Sequence, residues 1–139
     1  QMLTAGVAVV LPWGVAKWWG PRGRRVADRI ARADPGLMLG DNQGRPMGWP
    51  DPPIFTGKAS TVVLPGTDPL PIPGSAAHVG SYGFLMDGEL AQEAPSIDLS
   101  SRIRSLPFSP KSFGKRHSPW TVTSEQIAMR RAKRARSMP

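Results

Sequence analysis

The sequence predicts a mostly irregular, extended chain with a few α-helices and no independent globular core, anchored by one N-terminal transmembrane helix. Three observations predict it. Residues 2–16 carry no charge. The chain holds 15 glycines and 16 prolines in 139 residues, near the level at which irregular structure is expected. Four Phe and one Tyr, all after residue 20, leave little material for a core there. A chain of this kind orders against neighbours, because ordering costs roughly 1–2 kcal/mol of backbone entropy per residue.

The transmembrane anchor, residues 1–20, comes first. As a helix, residues 2–19 span roughly 27 Å at about 1.5 Å per residue. A hydrocarbon core is about 30 Å thick, so the span is short. Lys17 can reach the headgroups while its stem stays in lipid. Trp18 and Trp19 suit the interface, and Arg22, Arg24 and Arg25 suit the inside face. Pro12 kinks a membrane helix without breaking it. The chain begins with Gln, and the apolar run is expected to have extended further upstream. A secretory signal would need a basic segment before the apolar one, and none precedes it. The competing reading is a helix buried in a large soluble assembly.

Residues 21–34 form the second segment, a basic juxtamembrane helix. Val26, Ile30 and Ala33 make a narrow apolar stripe, with Arg22, Arg25, Arg29 and Arg32 on another side. Such a helix lies on headgroups or docks on acidic protein. Asp34-Pro35-Gly36 stops it.

Residues 35–122 are read as a Pro/Gly-rich extended arm. Asp41-Asn42-Gln43-Gly44 signals a turn, and it lacks the alternating carboxylates of a calcium loop. Thr61-Val62-Val63-Leu64 is the best strand, stopped by Pro65-Gly66. Pro69, Pro71 and Pro73 alternate with aliphatics, which favours polyproline II. His78 stands alone but for His117, and a lone histidine is usually structural. Short helices are expected from Asp87 to Ala94 and from Ser96 to Ser105. Phe108, Phe113 and Trp120 interleave with Lys111, Lys115 and Arg116, a pattern that can stack on and neutralise nucleic acid or pin a tail across protein.

Residues 123–139 are read as a basic C-terminal helix. Thr123 and Gln126 make a capping box, with Glu125 in the first turn. Arg130, Arg131, Lys133, Arg134 and Arg136 nearly surround the helix and call for an anionic partner.

Charge is laid out in blocks. Residues 1–58 carry eight Lys/Arg against four Asp; residues 59–101 carry five acids and no Lys or Arg; residues 102–139 carry ten Lys/Arg against Glu125. Different neighbours are expected for different segments. The chain has no cysteine, so disulfides, thiol catalysis and thiolate metal sites are excluded. No phosphate loop, HExxH motif or nucleophile triad appears, and no catalytic, cofactor or metal residue is expected.

These readings converge on a non-catalytic accessory subunit, without cofactor. It would stabilise a large energy-transducing membrane complex: a respiratory complex, an ATP synthase or a photosystem. Its partners are other subunits and membrane lipid, anionic lipid included. Its place is an organellar membrane, the mitochondrial inner membrane before the thylakoid, with the bulk of the chain on the matrix or stromal side. The alternative is a ribosomal or mitoribosomal protein that binds rRNA through its arm and C-terminal helix, in keeping with a pI near 11.1.

Overall fold

The computed structural model describes residues 7–14, 20–32, 36–56 and 61–136. Within the apolar N-terminal run, the described residues hold a strand, not a membrane helix. β1 (Val9–Pro12) is followed by α1 (Gly20–Ala31), β2 (Leu37–Asn42), the four-residue α2 (Pro53–Thr56) and β3 (Val63–Gly66). The three strands form one parallel sheet in the order β1-β2-β3. After a single 3-10 turn (Ser75–His78) come β4 (Tyr82–Phe84), α3 (Pro95–Arg104), β5 (Ser112–Gly114) and α4 (Pro119–Arg136). β4 and β5 pair antiparallel.

This corrects the expected fold class. The chain is a compact α/β arrangement with two small sheets, not an irregular arm hung on a membrane helix. No helix among the described residues is long and apolar enough to cross a membrane. The single-pass anchor and the inner-membrane or thylakoid placement built on it fall with that finding. The physical reason is that short apolar runs fit a parallel strand as well as a helix, and periodicity alone cannot separate them. Lys17, Trp18 and Trp19 lie outside the described residues.

The hydrogen-bond ladder explains why prolines sit inside strands. Val9 and Trp13 donate backbone N–H to Gly36 and Gly40, at 2.9 and 2.8 Å. Leu39 and Gln43 donate to Val62 and Gly66, at 2.9 and 3.0 Å. Residues 9, 11 and 13 of the first strand therefore face β2, and so do residues 62, 64 and 66 of the third. Pro12 and Pro65 fall at the alternate positions, which face away from β2. A missing N–H costs no ladder bond there, and proline is tolerated on edge strands for that reason. Val63, also facing outward, donates its N–H to Ser109 Oγ at 2.9 Å. Pro65-Gly66, expected to stop the strand, forms its last two residues. Gly40 is required by close approach: a Cβ there would lie 3.1 Å from Pro12 Cα and 3.2 Å from Val10 Cγ1.

The core is small. Trp13, Ile30, Met38, Leu39, Leu64 and Tyr82 are its buried apolar residues, and Leu39 at the sheet centre is 0% exposed. Residues paired across the strands share a face. Leu39, Asp41 and Gln43 therefore point one way, Met38, Gly40 and Asn42 the other. Asp41 is bonded by Tyr82, and Gln43 by Ser81 and Lys115, so β4 and the chain after β5 lie over the first face.

The helices match the sequence unevenly. α1 and α3 fall close to their expected places, α3 with Pro95 in its first turn and Ala94, not Ser96, at its N-cap. Residues 87–94 form no helix, and residues 71–74 are bends and turns in place of polyproline II. α4 begins at Pro119, four residues before the expected cap. Ser118 Oγ accepts the Thr121 N–H at 3.1 Å, and proline occupies the first helical position. Thr123 instead donates its hydroxyl back to the Pro119 carbonyl at 2.8 Å.

Candidate ligand cleft at the carboxyl ends of the strands

The segment after β2 carries an unusual density of polar contacts. Asp41, the second-last residue of that strand, and Arg45 form a bidentate pair, Nε to Oδ1 at 2.6 Å and Nη2 to Oδ2 at 2.8 Å. Tyr82 donates its hydroxyl to Asp41 Oδ2 at 3.0 Å. Arg45 Nη1 reaches Asp51 Oδ1 at 2.8 Å and donates to the Trp49 carbonyl at 3.2 Å. Its guanidinium carbon lies 5.6 Å from the centre of the Phe55 ring. The Arg45 side chain is only 3% exposed. Burial works against its charge, but hydrogen bonding to Asp41 and the charges of Asp41 and Asp51 outweigh it and raise its pKa. The Tyr82 hydroxyl is shifted upward too, first by burial and then by the Asp41 carboxylate. One arginine thus clamps residues 41–55 into a fixed loop.

That loop forms one wall of a cleft of about 860 Å³. The cleft opens at the carboxyl ends of all three parallel strands. Trp13 and Gly14 reach it directly after β1; Asn42 and Gln43 come from the end of β2, and Thr67 and Asp68 follow β3. Met47 and Trp49 supply apolar surface from the clamped loop, and α4 closes the far side with Val122, Glu125, Met129 and Arg130. In α/β proteins the carboxyl ends of parallel strands are where ligands bind, because loops of free sequence gather there on a rigid sheet. The volume also falls in the range of about 300–1,000 Å³ typical of small-molecule pockets.

Two polar groupings line the cleft. Asn42 donates its side-chain N–H to the Trp13 carbonyl at 2.9 Å and to Asp68 Oδ2 at 3.0 Å, tying the ends of β1 and β3 to β2. Its Oδ1 is buried and receives no hydrogen bond. Asp68 has a backbone φ of +44°, in the left-handed region, and is the non-glycine residue so placed among those described. Opposite them, His117 Nδ1 lies 3.2 Å from Glu125 Oε2, and the His117 and His78 rings meet edge to face with centres 5.3 Å apart. The donor and acceptor roles in the His117–Glu125 contact follow the imidazole tautomer. His117, the one companion the sequence offered His78, stands against it.

Most of the described residues expected to bind partners lie elsewhere. Arg22, Arg24 and Arg25 are exposed on α1, and Arg130, Arg131, Lys133, Arg134 and Arg136 are exposed along α4. Of these, Arg130 lines the cleft. Sequence reasoning missed Asn42, Asp68 and the His117–Glu125 pair as a site. The usable signal was a repeated order: an apolar run, then a Gly- and Asx-containing turn, as in Leu-Met-Leu-Gly-Asp-Asn and Val-Val-Leu-Pro-Gly-Thr-Asp, with a helix between the first two runs. No protein family, characterised protein or solved structure matches this chain.

Proposed function

We propose that the chain is a small-molecule binding unit whose site is the cleft at the carboxyl ends of β1, β2 and β3. The observation that carries this reading is convergence. Three strands, far apart in sequence, each deliver a residue of the same cleft, and the buried Asp41–Arg45 pair holds its wall. Asn42 and Asp68 supply polar recognition, Trp49 and Met47 supply apolar contact, and the His117 imidazole stands on the opposite wall. The reading is one of binding; it assigns no reaction. The test is amide and indole NMR of the full chain against a library of small metabolites. Saturable shifts confined to residues 42, 49, 68, 117 and their neighbours are the expected result. Binding that leaves those signals unmoved overturns the assignment.

A second reading keeps the accessory role without the membrane span. Eighteen residues of α4 include none that is buried, while Trp120 is 81% exposed beside five cationic side chains further along. This favours an anionic partner on α4: an acidic neighbouring subunit, or RNA under the ribosomal alternative. Replacing Arg130, Arg131, Lys133 and Arg134 with Gln should leave helix propensity nearly unchanged. It should weaken partner capture from native extracts. Nuclease-sensitive capture that weakens steeply with salt marks RNA; capture insensitive to nuclease marks protein. Undiminished capture by the quadruple variant would sink this reading.

A further inference from the structure

We propose that the outer face of α4 and the chain leading into it bind single-stranded nucleic acid, an inference that rests on reading α4 as the docking site of an anionic partner. The half-buried residues of α4 are Thr121, Val122, Glu125, Met129 and Ala132, which recur at helical spacing on one face. Trp120, Ile127 and Arg131 follow the spacing i, i+7 and i+11 on the opposite face, and all three are exposed. Glu125 is the only acid in residues 102–139. It lies on the inner face, 3.2 Å from His117. The outer face of α4 therefore carries cations and no acidic side chain. Exposed rings accompany the cations. Trp120 is 81% exposed at the start of the helix, Phe108 is 73% exposed in the loop before β5, and Phe113 is exposed on β5 itself. Lys111 and Lys115, both exposed, alternate with these rings. A Cβ on Gly83 would meet the Phe113 ring at 3.3 Å, so the glycine makes room for that ring to lie across the β4–β5 pair.

The partner must answer both features at once. An acidic protein would meet the cations and leave the rings in water. A duplex stacks its bases on one another and turns phosphates and groove edges outward, so it too leaves the rings unused. A lipid surface needs a continuous apolar stripe, and Thr123 and Ser124 stand between Trp120 and Ile127 on the outer face. A single strand offers a phosphate and an open base face at every nucleotide. Proteins that hold one combine a cationic track with aromatic rings on which bases stack. The reach agrees as well. Twelve residues separate Phe108 from Trp120, and a chain of that length covers at most about 43 Å. A strand of about 16 nucleotides, the upper end of common site sizes, spans roughly 54 Å at about 3.4 Å per phosphate.

The full chain is titrated, by fluorescence anisotropy, against four labelled probes of about 16 units each: oligo(dT), oligo(U), a DNA duplex and polyglutamate. The expected result is that a single strand binds more tightly than the duplex or polyglutamate at the same salt. Trp120→Ala and Phe108→Ala should each weaken single-strand binding roughly 5- to 150-fold, the worth of one stacked base, and leave polyglutamate binding unchanged. Both rings are largely exposed, so neither substitution disturbs the fold. Replacing Arg130, Arg131, Lys133 and Arg134 with Gln should lower the slope of log K against log salt by about 0.7 per lost phosphate contact, about 3 in all. Trp120→Ala should leave that slope unchanged, because a stacked base releases no counterion. Duplex or polyglutamate binding as tight as single-strand binding overturns the proposal, and so does single-strand binding that survives both ring substitutions. The anionic-partner reading then stands if the quadruple variant still weakens what is bound. No binding of any of the four probes overturns the nucleic-acid proposal too, and capture from native extracts decides the anionic-partner reading separately.

Discussion

Arg45 shows how one side chain can set a site's geometry without entering it. Its two bonds to Asp41 fix the turn after β2, and its bonds to Asp51 and the Trp49 carbonyl fix the wall that follows. Removing one partner of a buried ion pair leaves an uncompensated charge and costs about 3–5 kcal/mol, whereas replacing both by apolar residues costs much less. Arg45→Ala should therefore destabilise the protein by that amount in a denaturant titration, and the double variant Asp41→Leu/Arg45→Met should recover part of the loss. A single variant as stable as the parent would mean that the pair contributes nothing. Tyr82 adds a pH dependence. Its pKa in the fold is raised above the ordinary value near 10.0. A raised value means that the fold favours the neutral phenol. Its contribution is complete below about pH 10 and is lost as pH climbs through the folded-state value. The parent should lose stability over that window more steeply than Tyr82→Phe, measured by denaturant midpoints at successive pH values. Nothing in the sequence pointed to this cluster. Asp41 and Tyr82 are 41 positions apart, and only the packing of β4 over the sheet brings them together.

At the scale of elements, what was legible depended on how local the signal was. The helices at residues 20–31 and 95–104 announce themselves by apolar stripe, dipole-matched charge or flanking proline. β2 did not. Leu37-Met38-Leu39 is three residues between Gly36 and Gly40, and the prolines around it pointed to irregular chain. Its place at the sheet centre is set by β1 and β3, which no local window contains. The prolines themselves misled because their effect depends on which edge of a strand they face. Pro12 sits where a free N–H would otherwise invite another strand, and such edges are prone to association. Pro12→Val restores that donor on the side of β1 that faces away from β2. It should raise concentration-dependent light scattering while leaving the ladder to β2 intact. Scattering equal to that of the parent would show that the edge is covered by another part of the molecule. Gly114 tests the second sheet. It has φ +74°, and an added Cβ would collide with the Ser81 carbonyl. Gly114→Ala should break the β4–β5 pair and expose Tyr82 to solvent, read as a shift in tyrosine absorbance; an unchanged spectrum would show that the pair adjusts.

Across the whole molecule, stability and function are expected to separate at α4. The buried apolar residues come from the sheet, the segment after β1, α1 and β4, and α4 contributes none. The ladder, the Asp41–Arg45 clamp and the β4–β5 pair all lie before residue 118. What α4 gives includes the Glu125 contact to His117, whose side chains are 17% and 14% exposed, and the far wall of the cleft. A single hydrogen bond contributes about 0.5–1.5 kcal/mol net, and a loss of that size lowers the melting temperature of a domain this large by only a few degrees. A chain ending at Ser118 should therefore still unfold in one cooperative transition, a few degrees lower than the parent. The same truncation removes Val122, Glu125, Met129 and Arg130 from the cleft, so any ligand of the full chain should bind it at least tenfold more weakly, the loss of roughly one contact of 1.4 kcal/mol. It also removes every cation of the α4 surface, so an anionic partner captured through that helix should be lost. Calorimetry and ligand titration on the truncated and full chains check both halves together. If the truncated chain loses its cooperative transition, α4 belongs to the folding unit, and its exposed face is a packing surface rather than a wall added to a finished fold.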